Sequence, residues 1–140
     1  VDDDIEDIWA DVRAPARPKR YQGQRLQTDG KCHVIVSYHD NKSKILPLCL
    51  NVAKHSPTGF EWGYDGSGPA QLALAILCDH FGHGKIANER ALRLHQLFKV
   101  KCVAKFPHTS WTMDGNVVEK HVQDIESQLG DQAPTEEKAP

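Results

Sequence analysis

The sequence predicts an α+β domain, a small antiparallel sheet built from a three-stranded meander plus a later strand, packed by two or three helices around a buried central helix. Three observations predict it. Apolar residues alternate between Tyr21 and Leu50, interrupted by turn-forming clusters. The run Ala70–Cys78 is apolar nearly all round, which suits a helix inside the protein rather than on its surface. Beyond it, Ala91, Leu94 and Phe98 recur at helical spacing, as do Val118, Val122, Ile125 and Leu129.

Residues 1–12 place Ile5, Ile8, Trp9 and Val12 on one helical stripe with an acidic back. So short a helix is marginal alone and needs something to dock on. Residues 13–20 read as a basic, proline-containing linker. Residues 21–129 form the expected domain, and residues 130–140 a polar, disordered tail. Within the domain, Tyr21–Leu26 is the first strand, Thr28–Gly30 a turn, and Cys32–Tyr38 the second strand with Val34, Val36 and Tyr38 on one face. After a turn at residues 40–43, Ile45–Leu50 is the third strand, pushed toward a sheet edge by Pro47.

Regular structure lapses from Asn51 to Gly68. Pro69 then opens the central helix, and Gly82 and Gly84 end it. Asn88 is the expected N-cap of the next helix. From Lys99 to Phe106 the period changes to two, with Val100, Cys102, Ala104 and Phe106 alternating against lysines, which predicts a lysine-faced strand. Thr112 or Asp114 is the expected cap of the last helix.

Composition narrows the function classes. The 140 residues are 39% hydrophobic and 26% charged, suiting one modest globular core. No apolar run approaches the roughly 18 residues that span a bilayer, and the opening Val1-Asp2-Asp3-Asp4 is unlike a basic leader, so the expected location is the cytoplasm, with no membrane partner. Cys32, Cys49, Cys78 and Cys102 are widely spaced inside or beside apolar runs and read as buried, reduced thiols. The net charge of −2 hides a segregation: six acids and no base in residues 1–12, but twelve Lys/Arg against ten Asp/Glu in residues 21–129. A nearly neutral body has little general grip on nucleic acid.

The run from Ser56 to Leu77, SPTGFEWGYDGSGPAQLALAIL, is distinctive. It resembles a family of small uncharacterised bacterial proteins found on phages, plasmids and chromosomes, a domain of unknown function. Phe98-Lys99 and Trp111 match weaker features downstream, and the likeness extends from about Tyr21 to Ile125. The resemblance implies an accessory role on a mobile element and brings no activity, cofactor or catalytic residue.

Chemistry is sought first at Gly66-Ser67-Gly68-Pro69. A helix start offers free N–H groups and a positive dipole end to an anion, and flanking glycines allow close approach. Trp62, Tyr64, Asp65, Gly66, Ser67, Gly68 and Gln71 are therefore the candidate ligand-binding residues. The alternative is a tight turn feeding a buried helix. No Gly-Lys-Ser/Thr follows, so this is not a Walker loop. Phe60, Trp62 and Tyr64 alternate and would either stack a base or plug the core; a buried Trp62 and an exposed Tyr64 is the expected split. Around Cys78 and His80 no second ligand pair appears, so neither metal nor other cofactor is expected. His55, Glu61, Asp65, Asp79 and His80 are the acid–base candidates. Lys99, Lys101 and Lys105 form a weak candidate nucleic-acid surface.

The leading expectation is a non-enzymatic accessory protein engaging a host protein or nucleoprotein complex, with Ile5, Ile8, Trp9 and Val12 as the docking stripe. One alternative is a nucleotide- or phosphate-directed enzyme using the Gly66–Pro69 junction. The other is single-stranded nucleic-acid binding by the aromatics and the lysine-faced strand.

Overall fold

Strand β1 (Lys19–Arg25) pairs antiparallel with β2 (Cys32–Tyr38), and β2 pairs with β3 (Ser43–Ile45). The chain then runs through a long loop into helix α1 (Ser67–Phe81), helix α2 (Lys85–Lys101) and a single 3₁₀ turn at Val103–Lys105. It returns as β4 (Ser110–Asp114) along the free side of β1 and finishes in helix α3 (Gly115–Gln132), so the sheet order is β3-β2-β1-β4. This computed structural model describes residues 19–132. The expected N-terminal stripe of Ile5, Ile8, Trp9 and Val12, and most of the expected tail, lie outside the described residues.

The register separates two sheet faces. Tyr21 lies opposite Val36 and Met113, and Gly23 opposite Val34 and Trp111; all six are buried. This inner face shares one core with Leu72–Leu77 of α1, Leu94 and Phe98 of α2, and Val118, Val122 and Ile125 of α3. Every residue of α1 from Gly68 to Asp79 is buried, as its unbroken apolar run requires. Each fully buried Leu or Ile there contributes about 1.5–3 kcal/mol. The helix stops at Gly82, whose φ of 96° lets its N–H reach back to the Cys78 and Asp79 carbonyls.

Several expected elements sit elsewhere. The third strand is centred on residues 43–45 rather than 45–50: Leu46 still donates to the Val34 carbonyl (3.0 Å), but Pro47 has no N–H to continue the ladder. It is an edge strand all the same. The lysine-faced strand at residues 99–106 does not exist. Lys99 and Lys101 belong to the last turn of α2, and Lys105 to the 3₁₀ turn. Alternation and helical spacing coincide there: Leu94, Phe98 and Cys102 recur every four residues and all are buried, while Val100 is 47% exposed. Extending a helix already under way is far easier than starting a strand. The place beside β1 goes instead to Ser110–Asp114, where Trp111 and Met113 point inward and their neighbours outward. Asn88 is not a cap; α2 begins three residues earlier, after Gly84.

Candidate functional site

The junction into α1 mixes inward side chains, Trp62 and Gln71, with exposed ones, Tyr64, Asp65 and Ser67. Trp62 is buried, its Nε1 donating to the His108 carbonyl (2.9 Å), and its ring meets Trp111 edge-on. Tyr64 is 50% exposed, so the expected split holds. Glu61 takes a two-pronged grip from Arg25, at 2.8 and 2.9 Å, tying the loop to β1. That guanidinium holds the Glu61 carboxyl below the usual range. Asp65 pairs with Lys99 of α2 at 2.7 Å. The glycines serve these neighbours. A Cβ on Gly68 would stand 2.5 Å from Cβ of Glu61, and one on Gly66 would stand 2.6 Å from the Tyr64 ring.

Gln71 is wholly buried and fully engaged. Its Oε1 accepts from the His55 and Ser56 amides (2.7 and 2.9 Å), and its Nε2 donates to the Leu48 and Ala53 carbonyls (2.6 and 3.1 Å). One side chain on the central helix thus satisfies four backbone groups of the irregular loop. At the start of the helix the Ala70 amide donates to the Gly66 carbonyl (3.0 Å), and Gly68 is buried against Glu61. Ser67 is exposed and makes no side-chain cap.

The acid–base candidates do not gather at one point. His55 meets His95 of α2, Nε2 to Nε2 at 3.0 Å. His95 Nδ1 lies 2.8 Å from the Leu92 carbonyl, which can only accept, so the His95 proton sits on Nδ1 and His55 donates into Nε2. Burial pulls the His95 pKa below its usual range. His95 and Lys99, one helical turn apart, therefore face the loop together through His55 and Asp65. His80 lies at the far end of α1, 2.7 Å from Glu119 of α3. Cys78 is buried while His80 turns to α3, and among the described residues no three His, Cys, Asp or Glu side chains come together as a metal site.

Asp79 anchors a separate inward network that the sequence did not announce. It accepts from Tyr21 Oη (2.8 Å) and Lys19 Nζ (3.0 Å), with Lys44 at 3.8 Å. Burial alone would raise its pKa, but these donors outweigh burial and hold it below the usual value. Of the basic candidates Lys99 is engaged, by Asp65; on the same helix Arg90 grips Glu126 with two bonds of 2.7 Å, and Arg93 reaches the same carboxylate.

The outer face of the sheet is the contrast. Gln22 lies opposite both Ile35 and Thr112, and Ile35 opposite Ile45. Gln22 and Ile35 are half-buried along this row, Thr112 is exposed and Ile45 is 77% exposed. Shallow depressions of about 360 and 530 Å³ lie along it, and a third of about 350 Å³ continues round the β3 edge to Leu46 and Phe60. Gln22 borders the first two, and His33 and Ile35 border the last two, so they form one surface. Its charge is small, because Arg20 is paired with Asp114 at 2.9 Å. Alternation in β1 and β2 was the available signal for this face; β4, which completes it, was not read as a strand.

These features define a small α+β protein with an antiparallel sheet whose inner face, among the described residues, is packed by helices. The model of a family of unknown function, DUF6166, matches residues 21–124, and the chain belongs to that family. The match runs from β1 into α3 and leaves the acidic N-terminal residues outside it. No curated protein and no solved structure matches the chain. Among the described residues no helix is long and apolar enough to cross a membrane.

Proposed function

We propose that this is a non-enzymatic binding module that docks a partner protein on the outer face of its sheet. The observation carrying this reading is the continuous row Gln22, Ile35, Ile45 and Thr112 on the outer face, while Glu61, Asp65 and Gln71 of the α1 junction bond within the chain. Its amides and hydroxyls around an isoleucine pair suit a neutral protein surface with an apolar centre. A polyanion finds few unpaired cations there, which sets nucleic acid second. Residues 1–12, with Ile5, Ile8, Trp9 and Val12, enter the chain just ahead of β1 and supply a second contact to the same partner, a host protein alone or within a nucleoprotein complex.

The test is differential capture from lysate of the producing cell, with tagged wild type, an Ile35→Lys/Ile45→Lys double variant, a variant lacking residues 1–12, and Ile86→Lys as an exposed control on α2. The reading expects one protein recovered by wild type and Ile86→Lys and lost with the double variant. The same protein, purified, should bind directly with the same dependence, and more weakly to the truncation. Recovery indifferent to the double variant, or abolished by nuclease, would overturn it. Stabilisation by inorganic phosphate or a nucleotide in a thermal melt would favour an enzyme at Gly66–Pro69 instead.

A further inference from the structure

Three side chains converge where the 51–66 loop meets α2. His55 Nε2 stands 3.0 Å from His95 Nε2, and the Gln96 amide nitrogen stands 3.3 Å from the same atom. His95 Nδ1 is committed to the Leu92 carbonyl at 2.8 Å, so Nε2 carries the one free lone pair of the ring. That single lone pair faces two donors. Exchanging N and O of the Gln96 amide, which moves no other heavy atom, sets a carbonyl oxygen against the lone pair instead. Neither arrangement gives each group a full hydrogen bond at this point. A cation does, because it takes a lone pair from all three.

We propose that His55, His95 and Gln96 form a binding site for a divalent transition-metal ion of the zinc class, held by both Nε2 atoms and the Gln96 carbonyl oxygen, with water completing its shell. Two nitrogens bound to one zinc ion at about 2.0–2.1 Å stand roughly 3.3 Å apart at a tetrahedral angle. The histidine pair, with nitrogens 3.0 Å and ring centroids 5.0 Å apart, reaches that spacing by a small swing of His55. His55 then carries its proton on Nδ1 in place of Nε2, and both rings stay neutral.

The ligands are positioned before an ion arrives. The Leu92 carbonyl fixes the ring and tautomer of His95, as a second bond commonly does for metal-bound histidines. The Gln71 side chain accepts from the His55 amide at 2.7 Å and so fixes the backbone that carries the second ring. Burial favours the neutral form of His95, which ligation requires. Lys99, one helical turn on, would repel a cation, but its charge is paired with Asp65 at 2.7 Å. His95 is 5% exposed, His55 is half-buried and Gln96 is exposed, so the ion enters past Gln96. Once bound, it clips the loop to α2 much as Gln71 clips it to α1.

The experiment takes the untagged full chain, freed of metal with a chelator, and titrates it with zinc sulfate near neutral pH by calorimetry. Thermal melts with zinc, and with magnesium as a hard-cation control, run beside it. The expected result is one zinc per chain and a higher melting temperature, with no effect of magnesium. His55→Ala and His95→Gln should each weaken zinc binding by about tenfold or more. His55→Ala lies on the loop and decides the matter if the helix variant does not fold. His33→Ala, an exposed histidine elsewhere, should bind as wild type does. Gln96→Glu puts an anionic oxygen in place of the amide and should tighten binding. Zinc uptake indifferent to His55→Ala, or no stoichiometric uptake by wild type, would overturn the proposal; an unchanged affinity in Gln96→Glu would remove Gln96 from the site.

Discussion

The α1 junction and the outer sheet face are both rich in polar residues, yet they spend them in opposite directions. At the junction Glu61, Asp65 and Gln71 all bond to other parts of the chain, and the two glycines make room for Glu61 and Tyr64. On the sheet, Gln22 stands between Ile35 and Thr112 on the outer face, and no hydrogen bond is made by either polar side chain among the described residues. The distinctive run of sequence is thus a device for folding, fastening a long loop to a buried helix. The plainer strands carry the open surface. Sequence distinctiveness and surface availability have come apart in this protein.

That comparison is sharpest at Gln71. Gln71→Leu removes four hydrogen bonds to buried loop backbone, and unfolding free energy from urea titration should fall by on the order of 4 kcal/mol. A loss under about 1 kcal/mol would mean the loop does not depend on the helix. Next comes Gly68→Ala, which drives a methyl into Glu61 and loosens its bond to Arg25; the expected loss is about 2 kcal/mol. In a Glu61→Gly background the same Gly68→Ala change should cost far less, which marks the clash as its cause.

A smaller effect concerns His95. Its folded pKa lies below the unfolded value of about 6.5, so the unfolded chain binds the proton more readily. The stability associated with neutral His95 is complete above about pH 6.5 and is lost as pH falls toward the folded pKa. Urea midpoints should drop across that window, and His95→Gln should flatten the dependence. Smallest of all, Gln22→Ala and Thr112→Ala should each change stability by no more than about 0.5 kcal/mol. A large loss from either would show that the outer face is structural after all.

Much of this was legible in order. Alternation located β1 and β2, and the apolar run Ala70–Cys78 announced a helix with no free face. The split between a buried Trp62 and an exposed Tyr64 was expected, although their period-two spacing alone would place both rings on one side. The segment Lys99–Phe106 was misread because its apolar residues satisfy two periods at once. Ser110–Asp114 is five residues long, too short for its alternation to outweigh Thr112 and Asp114, which read as helix caps.

Periodicity and unbroken apolar runs are properties of neighbours along the chain, and they alone determined that this protein has a meander, a central helix sunk in the core and an amphipathic last helix. Partners distant in sequence were decided only by the tertiary structure: Gln71 with the 48–56 loop, Asp79 with Tyr21 and Lys19, His55 with His95. A polar side chain carries no mark of whether its bond will be made to water or to protein. That choice depends on which backbone the fold brings within about 3 Å of it.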